Sequence, residues 1–445
     1  MFGNRIAIFK ILLLLISSLL FAQESGNIKL TLNQALELAA KNNHDLRSAK
    51  ADVSAFQADK NKSLAVFFPR VNVQETYIKT NDPLNSFGFK LKQEIVTQMD
   101  FNPALLNDPD NIENFQTKLQ VQQPLINMDG FFGRAAADEG LSAMKNKSAR
   151  TANYINFQVK LTYFNLVLSH KSLSVVNQAL ESARAAHKLI SDYYSEGLIT
   201  KADLLMADVF VADLESKKVE AENNYRNVNE NLKLLTGITE EGTISPVDKL
   251  ELIKPQFDSI DRNNILKNRS DLLAYKHKMN AMKYAANMNW MKFLPRLNAF
   301  AEYEFNDTKA FGSNAKSWTV GLNLRWDIFK GFENIGSVQK SEAEYDKAKI
   351  EYEKNLVTGK NQISSSLRDF EAAGKKLVLA ENAQKQSGES LRIIKDRFSK
   401  GLEKTSDLLN AETAYSNSKL NYLKTLFFYN MSVFKIELMT ETKIY

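Results

Sequence analysis

Phe293-Leu294-Pro295-Arg296-Leu297-Asn298-Ala299-Phe300-Ala301-Glu302-Tyr303-Glu304-Phe305-Asn306 changes period at its proline. Upstream the apolar residues follow a helical repeat. Downstream Leu297, Ala299, Ala301, Tyr303 and Phe305 share one face, and Asn298, Glu302, Glu304 and Asn306 the other, which is strand alternation. A returning strand sets Trp318, Val320, Leu322, Leu324 and Trp326 against Ser317, Thr319, Gly321, Asn323 and Arg325. The same switch occurs earlier at Phe67-Phe68-Pro69-Arg70-Val71-Asn72. There Val71, Val73 and Tyr77 oppose Asn72, Gln74 and Thr76, a weaker strand because Glu75 falls on the apolar face. Its return sets Phe115, Leu119 and Val121 against Gln116, Lys118, Gln120 and Gln122.

Each returning strand leads into a very long helical stretch, Phe132 to about Tyr194 and Asn334 to about Phe398. A tight turn at Gly197 or Gly401 and a second helix follow. Tyr194-Ser195-Glu196-Gly197-Leu198 with Asp203-Leu204-Leu205 is matched by Phe398-Ser399-Lys400-Gly401-Leu402 with Asp407-Leu408-Leu409. The ordered landmarks make two tandem repeats, residues 23–240 and 261–445, joined by a connection over 241–260 that Gly242, Pro246 and Pro255 break up. The first repeat opens on a helix whose capping box is Thr31 with Gln34 and which ends near Pro69. A helix of sixty residues is about 90 Å long, roughly three times the hydrocarbon thickness of a bilayer. Its intermittent stripe (Leu161, Phe164, Leu168, Val175; Leu367, Phe370, Leu377, Leu391, Ile394) suits lateral packing in a helical tube or coiled coil.

With only 8 Pro in 445 residues, such helices can run unbroken. The absence of Cys removes disulfides, thiolate metal sites, cysteine nucleophiles and N-terminal lipidation. A net charge of +6 is too dilute for nucleic acid. Arg5 and Lys10, the apolar run Ile11–Phe21 and Ala22 read as a signal peptide over residues 1–22, the run being shorter than the ~20 residues of a spanning anchor. No other spanning apolar stretch exists, so a membrane location requires the strands. Four amphipathic strands cannot close a membrane barrel, whose smallest single-chain form has about eight, so several copies are needed. A small sheet capping a soluble bundle is the alternative.

The opening Leu30-Thr31-Leu32-Asn33-Gln34-Ala35-Leu36-Glu37-Leu38-Ala39, the paired Phe-Pro-Arg and Leu-Pro-Arg strand entries, Gln123-Pro124-Leu125, Trp326-Asp327-Ile328-Phe329-Lys330-Gly331 and the two Gly-Leu tips together resemble the TolC-like outer membrane efflux family. The resemblance covers essentially the whole mature chain. It implies an α+β membrane protein in which tandem long α-helical hairpins form a periplasmic tunnel and four β-strands per chain contribute to a trimeric, twelve-stranded outer-membrane β-barrel. It further implies a homotrimer among outer-membrane lipid, docked through Gly197, Leu198, Gly401 and Leu402 to a periplasmic adaptor (membrane fusion) protein and an inner-membrane pump. The channel would be the passive component of tripartite efflux or type I secretion. In the family, aspartates beyond the second tip ring the periplasmic entrance, and a Tyr and an Arg tie that tip to the first hairpin. Here Asp407 matches the first ring aspartate, Asn410 stands at the second, and Asp203 matches the partner carboxylate. Phe398 and Glu403 stand at the Tyr and Arg positions, so the family's lock cannot form in its usual way: Phe398 lacks a hydroxyl, and Glu403 would repel a carboxylate or leave it unpaired. Asp203 and Asp407 also suit plain helix starts.

The residues offer no catalytic group, cofactor site or metal site. His44, His170, His187 and His277 form no i,i+4 pair and read as solvated helix-face residues, and Thr358-Gly359-Lys360-Asn361 lies in a helical pattern. Glu240-Glu241 reads as surface charge, and Gly130 and Gly133 as shaping a strand-to-helix junction. A structural periplasmic coiled coil without a channel would explain the helices but leave the strands unexplained. The interval Pro69–Pro124 exceeds Pro295–Asp327, so the first repeat carries the larger extracellular loop, with Asp82-Pro83, Pro103 and Asp108-Pro109-Asp110 as turn chemistry and Phe87, Phe89 and Phe101 as self-packing or lid residues.

Overall fold

The computed structural model describes residues 27–256 and 262–444. The signal-peptide reading, residues 1–22, lies outside them, as do residues 257–260 of the connection and residue 261, the first of the second repeat. The chain forms two compact units, each drawing on both sequence halves: residues 51–146 with 271–355, and the remainder. In chain order the elements are β1 (Ile28–Leu30), α1 (Leu32–Asn42), α2 (His44–Lys62), β2 (Arg70–Thr80), α3 (Pro83–Lys92), α4 (Pro103–Asn107), β3 (Ile112–Ile126), α5 (Met128–Ser195), α6 (Lys201–Thr236), β4 (Ile244–Pro246), α7 (Arg262–Asn268), α8 (Ser270–Met291), β5 (Arg296–Asp307), β6 (Ala315–Arg325), α9 (Glu333–Phe398) and α10 (Thr405–Thr440). Among the described residues no helix is long and apolar enough to cross a membrane.

The unit of residues 51–146 and 271–355 holds an antiparallel sheet of order β2-β3-β5-β6. Its register aligns apolar with apolar, Val71 opposite Val121, Val121 opposite Ala301 and Ala301 opposite Val320, so one face is apolar across all four strands at this level. That face is uncovered within the chain: Trp318 is 70% and Leu324 68% exposed. The opposite face carries Gln116, Lys118, Glu302 and Glu304, with Lys118 Nζ 3.1 Å from Glu302 and 3.0 Å from Glu304. Glu75, the residue that weakened the first strand in the sequence, is accommodated on the apolar face because it accepts bonds from the Thr117 hydroxyl opposite and from the Phe311 N–H of the β5–β6 turn, the latter 3.1 Å long. At Gly321 a Cβ would come within 2.8 Å of the Phe300 ring, so the ring lies on the strand where a side chain would stand. At Gly130 a Cβ would overlap Val66, and the absent side chain lets the turn before β2 lie against the start of α5.

The other unit is built on the distal parts of the long helices. The duplication is visible in their lengths: α5 has 68 residues and α9 66, while α6 and α10 have 36 each. The expected stripe is the packing stripe, with Phe164, Leu168, Val175 and Leu377 all buried. The first expected helix is divided by Asn43. The Asn43 carboxamide accepts from the N–H groups of Asp45 and Leu46 to start α2, and donates to the Leu235 carbonyl at 3.0 Å. Beneath α1 the connection supplies β4, pairing in parallel with β1. So small a sheet is held by side chains from the helices. Asn229, 1% exposed, donates to and accepts from the backbone of Ile244, at 2.8 and 3.1 Å. Tyr163 Oη donates to the Leu30 carbonyl at 2.8 Å and contacts Asp248 Oδ2 at 2.6 Å, and burial raises its pKa.

Candidate functional site

Both hairpin tips turn by the same backbone device. Leu198 N–H bonds the Tyr193 carbonyl and Gly197 N–H that of Tyr194, and Leu402 and Gly401 do the same to Arg397 and Phe398, at 2.9–3.0 Å. These are Schellman turns, which require the left-handed φ values of +73° at Gly197 and +72° at Gly401. They leave Leu198 and Leu402 projecting, 66% and 61% exposed.

Behind the tips the hairpins share an apolar core of Ile190, Ala207, Phe398, Leu408 and Leu409. Phe398, only 3% exposed, faces the Tyr193 ring at 6.0 Å. The hydroxyl that Phe398 lacks is supplied from the opposite hairpin, since Tyr193 Oη donates to the Ser399 carbonyl at 3.3 Å. Tyr193 went unnoticed in the sequence because the repeat pairs Tyr194, not Tyr193, with Phe398; the adjacent tyrosines were the available signal. Glu403 lies 2.6 Å from Arg397 Nε, so its charge is paired within its own hairpin.

The two aspartates look equivalent in the repeat but are employed differently. Thr200 is the N-cap of α6; its N–H and hydroxyl bond Asp203 Oδ2 at 3.1 and 2.6 Å, and its oxygen accepts from Asp203 N–H. The Thr200 hydroxyl, with the Thr405 hydroxyl of the second hairpin adding a smaller effect, holds the Asp203 carboxyl below its ordinary range. At α10 the N-cap is Lys404, whose side chain makes no cap bond. The Asp407 carboxylate meets the Ser406 hydroxyl at 3.5 Å, too long to hold it. Asn410 is exposed one turn on. Farther along α10, Glu412 is 8% exposed beside Val176, Phe210 and Leu214. Burial raises its pKa, with Lys395 opposing.

His44 and His170 are exposed on their helices, while His187 and His277 are half-buried. His187 pairs with Asp208 and His277 with Glu139, each at 2.7 Å, and the His170 ring lies 5.6 Å from that of Tyr225. Among the described residues no group of three or more His, Asp or Glu could hold a metal ion.

The family described as "Outer membrane efflux protein" matches residues 35–238 and 262–426. The chain belongs to this family. It is 21% identical to outer membrane protein OprJ of Pseudomonas aeruginosa over 86% of this chain and 78% of that protein. It is 20% identical to outer membrane protein TolC of Escherichia coli over 88% and 80%. The CmeC outer membrane channel of Campylobacter jejuni superposes with a TM-score of 0.78 at 18% identity, covering 92% of this chain and 85% of that one. The protein is therefore an outer-membrane efflux channel of the TolC type, built from helical hairpins and amphipathic strands, and its family is one of channels rather than enzymes.

Proposed function

We propose that three copies assemble, each giving β2, β3, β5 and β6 to a twelve-stranded barrel and its hairpins to a periplasmic tunnel. The two halves, 23–240 and 261–445, act as duplicated units about the 241–260 connection. The observation that carries this reading is the sheet itself: β2 and β6 are full-length strands with one open edge each, and the sheet has one largely apolar, exposed face. A second feature agrees with it. Leu205, Val209, Ala212, Ser216 and Val219 recur at heptad spacing on α6 and are all exposed, a seam suited to a neighbouring copy's helix.

The projecting Leu198 and Leu402, with Gly197 and Gly401, form the contact for a periplasmic adaptor that links the channel to an inner-membrane pump. Asp407, the aspartate not committed to a helix cap, lines a cation-attracting constriction beside Asn410. The closed tip depends on Phe398 packing and the Tyr193 bond, while Asp203 chiefly and Glu403 wholly serve their own hairpins. The test is crosslinking in detergent followed by planar-bilayer recording. Trimers and channels blocked from the periplasmic side by trivalent cations, with block weakened in Asp407→Ala, are expected. Monomers alone would defeat the assembly, and unchanged block would remove Asp407 from the constriction.

A further inference from the structure

The β2–β3 connection is folded. Asp82 caps α3, with its carboxylate 2.8 Å from Asn85 N–H and Pro83 in the first turn. The chain then doubles back. Phe87 and Phe101 pack edge to face at 5.5 Å, Lys90 lies 2.7 Å from Asp100, and Asp100 closes a capping box on Thr97. The segment is thus fixed in shape before it meets the sheet, which it does along β3 and β6.

The face it meets is decided by two adjacent residues. Lys92 Nζ is 3.2 Å from Glu304 Oε2, and Glu304 lies on the polar face with Lys118 and Gln116. Gln93, 3% exposed, donates to the Glu113 carbonyl at 2.7 Å and to Asn114 Oδ1 at 2.9 Å, and Asn114 donates to Asn306 Oδ1 at 3.0 Å. Asn114 and Asn306 are 0% and 1% exposed, and strand alternation puts them on the face of Glu304. The chain reverses immediately afterwards at Glu94, a non-glycine residue in the left-handed region at φ 58°. A loop standing clear of the sheet would need neither this backbone strain nor a buried amide chain.

We infer that α3 is an inward-folded lid: latched to Glu304 and Asn114 on the pore-side face, three copies narrow the extracellular mouth and limit the size of what leaves there. The inference rests on the reading that the four strands form a barrel wall with the polar face toward the pore. In that arrangement the connections β2–β3 and β5–β6 lie at the end away from the long helices, so this constriction is separate from the periplasmic one at Asp407.

The experiment compares wild type, Lys92→Glu and a variant with residues 83–107 replaced by a short Gly-Ser turn, as purified full-length channels in planar bilayers. The shortened variant is expected to conduct about twofold more than wild type, because the lid adds a resistance in series with that of the periplasmic constriction and its removal leaves only the latter. Lys92→Glu, which sets two carboxylates against each other at an exposed pair, is expected to rise part of the way. The wild-type channel should approach it as salt screens the latch, with conductance normalised to the bulk solution. Wild-type conductance in the shortened variant would overturn the lid. Should that variant fail to insert, unaltered conductance of Lys92→Glu at low salt would do so. Absence of any channel from the wild-type protein would instead overturn the barrel reading beneath it.

Discussion

Lys404→Thr isolates the difference between the hairpin tips. The backbone at Lys404 (φ −84°, ψ 155°) already matches that at Thr200 (φ −83°, ψ 159°), so a threonine needs no rearrangement to cap α10. It would form with Asp407 the box that Thr200 forms with Asp203. An added N-cap contributes about 1 kcal/mol, and removing a cation from the positive end of the helix adds a few tenths more. Opening of the first turn of α10 should therefore become about 5–10-fold rarer. Amide exchange of a peptide spanning Thr405–Leu409 measures this directly, with the already capped Lys201–Leu205 as internal reference and Lys404→Ala supplying the charge effect alone. Because the box draws the Asp407 carboxylate back to the N–H of residue 404, periplasmic block by trivalent cations should weaken in the same variant. Unchanged exchange at residues 406–408 would show that the missing cap does not govern the tip; slowed exchange with unaltered block would show that Asp407 lies off the ion path.

Two further outcomes follow from the packing of the hairpins. Glu412 has its pKa raised by burial, so the folded state favours the neutral carboxyl, and stability is highest below the ordinary value of 4.5 and falls as pH rises through the raised one. Glu412→Gln should accordingly raise the melting temperature at about pH 8 and change it little near pH 4, and an equal shift at both would refute the burial argument. Phe398→Ala removes an almost fully buried ring and should cost about 3–5 kcal/mol of tip stability, several times the loss from Tyr193→Phe, which deletes one long hydrogen bond. Comparable protease sensitivity of the two variants near Gly401 would mean that the bond, not the packing, closes the tip.

The long helices and strands were legible because each depends on a repeated local signal: heptad-like stripes, alternation, and Gly197 and Gly401 at the turns. The parts that escaped are those where a partner far along the chain supplies what the local sequence lacks. β1 and β4 have three residues each, too few for any period, and exist because Asn229 and Tyr163 bond their backbones from long helices. Glu75 looked misplaced until Thr117 and the Phe311 N–H were brought to it by pairing. The large β2–β3 connection could be read from Asp82-Pro83 and its phenylalanines, but not the side of the sheet on which it lies. That is settled by Lys92 and Gln93, whose partners stand on β3 and β5.

The tips show what duplication retained and what it let diverge. Turn geometry is shared and helix lengths nearly match in the two hairpins, because each turn is set by a left-handed glycine and each helix by its stripe. The residues that fasten the turns differ: Thr200 caps where Lys404 does not, and Tyr193 gives its hydroxyl to the second hairpin, where Arg397 stands in the repeat and pairs with Glu403. Since a missing cap leaves the first turn of a helix with unpaired N–H groups, the start of α10 is the softer of two otherwise matched ends. Of the two tip aspartates, Asp407, which has no part in a capping box, stands on that softer turn. An opening motion confined to the second hairpin would therefore carry the Asp407 charge with it, while Asp203 would lose only its weaker Thr405 contact and keep the box it forms with Thr200.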